Sequence, residues 1–304
     1  MKRRSFVASL PLAAVLSKIQ LPSSQFPLSS NSYNWITFYT REGKTWGENP
    51  DADMSEYART GLKAYEPSLS SIEQAEKLIA AMKKHNIQLP SVYIGSILHE
   101  KRELTKSMEN MLSIAETVAA YDTKIIVTNP NPIAWGSDLL KNDDQLQVQA
   151  EALEKLGKAL KTKGLTLAYH THDPEFKAGA REFHHMLQNT SPEHLKFCMD
   201  VHWIYRGSAN SQLAAFDVLK MYGNRIAELH LRQSSDGIFQ EVFTEAGDID
   251  YKKFAEELSK ANIHPHLVIE QCLEKGSPKT MNALAAHIKD KTAVEQTFKK
   301  IIQP

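Results

Sequence analysis

The chain has 304 residues, 42% of them apolar and 24% charged, with 36 basic residues balanced by 36 acidic ones. That length and mixture suit a soluble globular protein with a sizeable core, built as one large domain or two ordinary ones. Zero net charge removes any overall electrostatic attraction to nucleic acid or an anionic surface, which leaves a small-molecule partner as the expectation.

The opening stretch, MKRRSFVASLPLAAVLSKIQLPSS, has a basic tip, an apolar run from Phe6 to Leu16 and a polar Ser/Pro tail. The run is too short to span a bilayer and has the layout of a secretory signal. Arg3 and Arg4, followed by Ser5, Phe6 and Val7, resemble a twin-arginine export signal. Residues 1–30 therefore read as export signal and linker, and residues 31–304 as one domain in an exported or periplasmic protein. The alternative is a cytoplasmic protein with a basic, frayed start.

Further along, short apolar runs alternate with helical patterns. Strands are expected at 33–40 (YNWITFYT), 61–67, 88–95, 123–130, 165–172, 195–203, 226–233 and 265–272. The first connection, residues 41–60, is poor in apolar residues and does not read as a full helix. Ser70 with Glu73 forms a capping box ahead of a stripe of Ile72, Ala75, Ile79 and Met82. Leu146, Ala150, Leu153 and Leu160 mark a helix that stops at Gly164, and a further helix runs from Leu213 to Tyr222 before Gly223. Cys198 and Cys272, both in expected strands, read as isolated buried thiols rather than a disulfide framework. Eight strands with a helix between each pair are the rhythm of a parallel sheet and predict an α/β fold, a closed (β/α)8 barrel.

In such barrels the chemistry lies at the C-terminal ends of the strands. Strand five ends with His170, strand six with Asp200, strand seven with His230 and strand eight with Glu270. Their neighbours Tyr169, Met199, Leu229, Leu231 and Ile269 suit the face that packs on outer helices, so the four polar side chains share the inward parity. Two imidazoles and two carboxylates converging there form a candidate site for one divalent metal ion, with mixed donors favouring manganese, cobalt, zinc or iron over magnesium or calcium. Read singly, each histidine could be a hydrogen-bonded structural residue, and Asp200 could merely cap the next loop.

Other residues near the strand ends are candidates for chemistry or contact. Glu270 is a candidate general base as well as a ligand, while His172, or Glu175 on the following turn, could return a proton. Trp203 could stack on a sugar face or pack in the core. Trp135, in NPNPIAW after strand four, could line the mouth or cover the barrel, and Glu66 could bind a hydroxyl or cap a helix. Lys196, Glu228 and His266 lie deeper and are expected to satisfy one another.

The segments YHTHDPEF, MDVHWIYRGSAN, ELHLRQS and VIEQ, in that order and spacing, resemble those of the sugar phosphate isomerase/epimerase superfamily, the xylose isomerase-like TIM barrels. The resemblance runs from about residue 60 to 300. It implies metal coordination by His170, Asp200, His230 and Glu270, and sugar contacts by His172, Trp203 and Arg232. Two departures stand out. Epimerases and isomerases of this family usually carry glutamate where this chain has His170, and pair it with the strand-eight glutamate as two opposed bases. The inosose dehydratase branch resembles this chain in having histidine there, and related barrels that cleave 3-keto-glycosides by elimination are similar. Arg232 and Gln233 stand where many relatives have lysine and aspartate.

The leading expectation is a metal-dependent isomerase or epimerase acting on a keto-sugar or related polyol through an enediolate. A lyase or dehydratase on a keto-glycoside or keto-inositol is the alternative that His170 favours. A sugar-binding barrel without turnover is a third reading. DNA repair, which shares the barrel, needs more metal ligands and a basic face that this chain lacks.

Overall fold

A computed structural model describes residues 26–303; the basic tip, the Arg3–Arg4 pair and the apolar run from Phe6 to Leu16 lie outside them. Eight parallel strands form one sheet: β1 (Ser29–Asn31), β2 (Ala64–Glu66), β3 (Ser91–Tyr93), β4 (Ile125–Thr128), β5 (Thr166–His170), β6 (Leu195–Asp200), β7 (Ile226–Leu231) and β10 (His266–Ile269). A two-residue hairpin, β8 (Ser234–Ser235) with β9 (Ile238–Phe239), intervenes before β10. The spatial order is β2-β1-β10-β7-β6-β5-β4-β3. The remaining seam, between β2 and β3, is held by Gln88 N to Lys63 O (2.8 Å) and Tyr93 N to Pro67 O (2.9 Å), so the barrel is nearly closed.

Helices α1 (Ser32–Arg41), α2 (Pro50–Ala58), α3 (Ile72–Lys84), α4 (Lys101–Ala119), α5 (Asp143–Thr162), α6 (Lys177–Gln188), α7 (Val201–Gly207), α8 (Gln212–Tyr222), α9 (Tyr251–Lys260), α10 (Ala283–Thr297) and α11 (Lys299–Ile302) surround the sheet. Each buries one stripe; α5, for instance, buries Leu146, Ala150, Leu153, Leu156 and Leu160, and the chain turns at Gly164 with a φ of +73° that glycine adopts without strain.

The first element differs from expectation. Residues 33–40 are helix α1, not a strand: Asn31 caps them by accepting from Tyr33 N, and Trp35 and Phe38, three apart, bury on one face. The true first strand is the small polar run Ser29–Asn31, fully buried, which opens the barrel ahead of residue 31. The apolar-poor connection does contain a helix, α2, because Asn49 caps it and Pro50 sits at its first position. The cap of α3 is Ser71, whose hydroxyl accepts from Gln74 N at 3.2 Å, one residue later than the expected Ser70.

Deeper in the barrel Lys196, Glu228 and His266 do not satisfy one another. The β6–β7 ladder shifts between Phe197 and Cys198, which brings Cys198 opposite Glu228, with Lys196 further down the strand. His266 instead meets Ser29 Oγ at 3.0 Å, and Lys196, at the start of β6, stays half-buried. Both thiols are free and buried, with Cys272 just past β10 instead of inside it. Among the described residues no helix is long and apolar enough to cross a membrane.

Candidate metal centre

Strand alternation does the positioning. In β5, Leu167 and Tyr169 join the outer core while Ala168 and His170 face inward; β6 ends at Asp200, opposite His230 of β7, and Glu270 follows β10 directly. His170 Nε2 lies 3.7 Å from Asp200 Oδ2 and 4.0 Å from Glu270 Oε2, and His230 Nδ1 lies 2.6 Å from Glu270 Oε2. One donor atom from each of the four falls within 4.8 Å of all the others, and all four side chains are buried.

These residues fit a divalent ion. Neither ring nitrogen of His170 has a hydrogen-bond partner despite burial, an arrangement that costs about 1–3 kcal/mol unless something else takes the lone pair. Gaps of 3.7 and 4.0 Å are long for hydrogen bonds, yet close to twice the roughly 2.0–2.2 Å of a metal–nitrogen or metal–oxygen bond. Asp200 caps a helix rather than a loop: Oδ1 accepts from His202 N (2.9 Å) and Trp203 N (2.8 Å) at the start of α7, while Oδ2 faces the centre.

Arg232 supplies charge from within the protein. Fully buried, its Nη2 lies 3.0 Å from Glu270 Oε1 and 3.3 Å from Asp200 Oδ2, and its Nε donates to the Glu270 carbonyl at 2.9 Å. Its guanidinium lies beside the rings of both Trp203 (5.0 Å) and Phe239 (4.8 Å), and Nη1 has no partner. Burial would raise both carboxyls, but Arg232 with the neighbouring imidazoles outweighs it, holding Glu270 at about 2 and Asp200 below its usual value. Both are therefore carboxylates at neutral pH.

His172 stands at the mouth. Its ring meets His170 at 4.8 Å, Trp203 at 5.2 Å and Trp135 at 5.1 Å between centroids, and its Nδ1 is unpartnered. Burial, then the adjoining His170, drives its pKa well below the ordinary value, so it is a neutral imidazole. Trp203 Nε1 is a buried donor without a partner, whereas Trp135 is 58% exposed at the rim. A row of aromatic rings thus leads from the centre to solvent.

Two expected contacts lie elsewhere. Glu175 is buried behind the turn, where its oxygens accept from His172 N (2.8 Å) and Asn129 Nδ2 (3.1 Å); burial and then Glu182 push it up to about 7. It acts on the turn that carries His172. Glu66 sits beneath the centre, fully buried, 3.1 Å from His230 Nε2. Beside it Glu228, also 3.1 Å from Nε2, is pushed up to about 8 by burial and by the charge of Glu66.

Sequence reading missed several parts of the mouth. Tyr93 ends β3 with its ring 5.4 Å from that of His170. His202 Nε2 meets Ser234 Oγ at 2.7 Å, and Ser234 in turn donates to Asp248. Arg206 binds Glu274 through two bonds (3.0 and 2.6 Å) and covers Phe239 at 3.8 Å, tying the β8–β9 hairpin to the loop after β10. Tyr93 has a legible signal, inward parity at a strand end. The Arg206–Glu274 pair spans 68 residues and has none.

Comparisons with known proteins agree with this fold. A family profile described as Xylose isomerase-like TIM barrel matches residues 54–291. Inosose dehydratase of Clostridium perfringens is 24% identical over 271 residues, covering 80% of this chain and 88% of that protein. D-allulose 3-epimerase from Methylomonas sp. superposes with a TM-score of 0.68 at 12% identity, covering 90% and 98% of the two chains. The 3-keto-D-glucoside 4-epimerase of E. coli gives 0.65 at 13% identity over 90% and 100%. An IOLI protein with a bound zinc atom gives 0.66 at 12% identity over 92% and 100%. At these identities the structural likenesses establish the fold alone.

Proposed function

The chain belongs to the xylose isomerase-like TIM barrel family, and from that premise we propose that it is a divalent-metal-dependent lyase that dehydrates a keto-sugar or keto-polyol by β-elimination. The observation that carries this reading is the imidazole at the end of β5. His170 takes the fourth ligand position, so Glu270 is left as the one carboxylate of the centre that caps no helix, Asp200 Oδ1 being held by His202 N and Trp203 N. Inverting a carbon needs a proton removed on one face and returned on the other. A syn elimination needs only one base.

A divalent cation, when bound, supplies Lewis acidity at the ketone and acidifies the neighbouring C–H. Glu270, a carboxylate at neutral pH, removes that proton. The released electron pair forms the C=C bond as the C–O bond to the β-hydroxyl breaks. The proton on Glu270 passes to the departing oxygen, so water leaves and the enzyme is unchanged. His172, neutral and unpartnered at Nδ1, accepts a hydrogen bond from a substrate hydroxyl; Trp203 Nε1 and Arg232 Nη1 are unpartnered donors for other oxygens. The mixed N/O donor set favours manganese, cobalt, zinc or iron over magnesium.

The inosose dehydratase relatives support elimination, while the two epimerase neighbours support the second reading, epimerisation. The discriminating experiment incubates metal-loaded protein with a panel of keto-polyols and 3-keto-glycosides in deuterated water. Elimination gives a new enone absorbance or a trapped 1,2-dione; epimerisation gives a deuterated stereoisomer with no loss of water. The twin-arginine-like start supports export and hence a free or glycosidic sugar rather than a sugar phosphate, checked by locating the protein after cell fractionation.

A further inference from the structure

His230 has a carboxylate on each side. Its Nδ1 faces Glu270 in the centre, at 2.6 Å from Oε2, and its Nε2 faces Glu66, at 3.1 Å from Oε1 and 3.4 Å from Oε2. An imidazole that gives a lone pair to a cation through one nitrogen carries its proton on the other, and the partner of that proton fixes both tautomer and ring orientation. Since Glu270, a member of the same ligand group, lies on the Nδ1 side, the proton belongs on Nε2 when the cation is bound.

We infer that Glu66 is the positioning residue of the metal centre: it accepts the Nε2 proton of His230 and thereby aims Nδ1 at the cation. This rests on the proposed metal site but adds a role for strands that supply no ligand. Glu66 ends β2, and its carboxylate is itself fixed by Asn31 Nδ2 of β1 (2.5 Å to Oε1) and by Ser91 Oγ of β3 (3.0 Å to Oε2). Asn31 cannot turn away, because its Oδ1 accepts from Tyr33 N at 2.7 Å to cap α1. Three consecutive strands thus converge on one carboxylate, and that carboxylate on one ligand. Glu228 Oε1 makes the shorter hydrogen bond to the same nitrogen (3.1 Å, against 3.4 Å for Glu66 Oε2), but beyond His230 and Glu66 itself it is held only by the weak donor Cys198 Sγ (3.5 Å). Glu66 is the better anchored acceptor.

The test measures metal affinity without substrate, by competition of manganese or cobalt against a chromogenic chelator, in wild type, Glu66→Gln and Ser91→Ala. Glu66→Gln keeps the volume but offers an uncharged acceptor, or an amide N–H that favours the wrong tautomer; affinity falls on the order of 10–100-fold, the usual effect of losing such a partner. Ser91→Ala, a milder change for the case where Glu66→Gln folds poorly, falls in the same direction by a smaller factor, and the visible bands of the cobalt-loaded protein change in both. Affinity within twofold of wild type in both variants, with cobalt bands unchanged, overturns the inference and leaves the metal site intact. A second equivalent of metal that disappears in Cys198→Ser also overturns it, since Nε2 would then be a ligand to that ion. Wild type that takes up no divalent ion overturns this inference and the metal reading together.

Discussion

Replacing Arg232 with methionine tests whether the centre is built to hold positive charge. The guanidinium is fully buried and lies 3.0 and 3.3 Å from one oxygen each of Glu270 and Asp200. Methionine preserves much of the packing against Trp203 and Phe239 but leaves two buried carboxylates without this cation. Breaking a buried pair in this way costs about 3–5 kcal/mol. With roughly 2–4 °C of Tm per kcal/mol in a protein somewhat smaller than this, the metal-free variant should melt roughly 6–20 °C below the metal-free wild type. A divalent ion replaces part of the missing charge, so the rise in Tm on adding manganese should be larger in Arg232→Met than in wild type. Thermal unfolding of both proteins with and without chelator reads all four values. Equal melting of the two metal-free proteins, or an equal rise on adding metal, would refute the idea that Arg232 and the cation share one pair of carboxylates.

Glu270→Gln should lower the rate of α-proton exchange from a keto-polyol by on the order of 10²–10⁴, measured by deuterium incorporation, because the sole base is removed. His170→Glu restores a carboxylate opposite Glu270 and should shift product from the dehydrated ketone towards a deuterated stereoisomer of the substrate. Away from the centre, Glu241 accepts from Thr280 N and Oγ1, Met281 N and Arg41; burial would raise its carboxyl, but these bonds hold it below its ordinary value. A depressed carboxyl adds stability that is present above the unfolded value near 4.5 and is lost as pH falls through the folded one. Glu241→Gln should therefore be destabilised at neutral pH and show a shallower loss of Tm on acidification below about pH 4.5 than wild type.

The centre was readable in the sequence because its four residues sit at strand ends, where parity and flanking apolar residues fix direction. The first strand was not, for a physical reason. Ser29–Asn31 is short, polar and buried, so it gives no hydrophobic alternation, while the aromatic run after it has high strand propensity but is capped into a helix by Asn31. Misplacing β1 hid Asn31 as a donor to Glu66, so Glu66 read as a hydroxyl contact or a helix cap, whereas it lies under His230. The partners of Glu228 and His266 were hidden likewise: Cys198 comes opposite Glu228 through the ladder shift at Phe197 and Cys198, which parity counting along one strand does not register, and Ser29, the partner of His266, lies on the misplaced first strand. Glu175 was placed on the correct turn, but which side of the turn its carboxylate serves depends on Asn129, on the end of another strand.

Anomalous diffraction from crystals soaked in cobalt or manganese tests the central claim most directly. One peak at about 2.0–2.3 Å from His170 Nε2, His230 Nδ1 and an oxygen of each of Asp200 and Glu270 is the expected result. No peak at that point, or one bound by other residues, would contradict it.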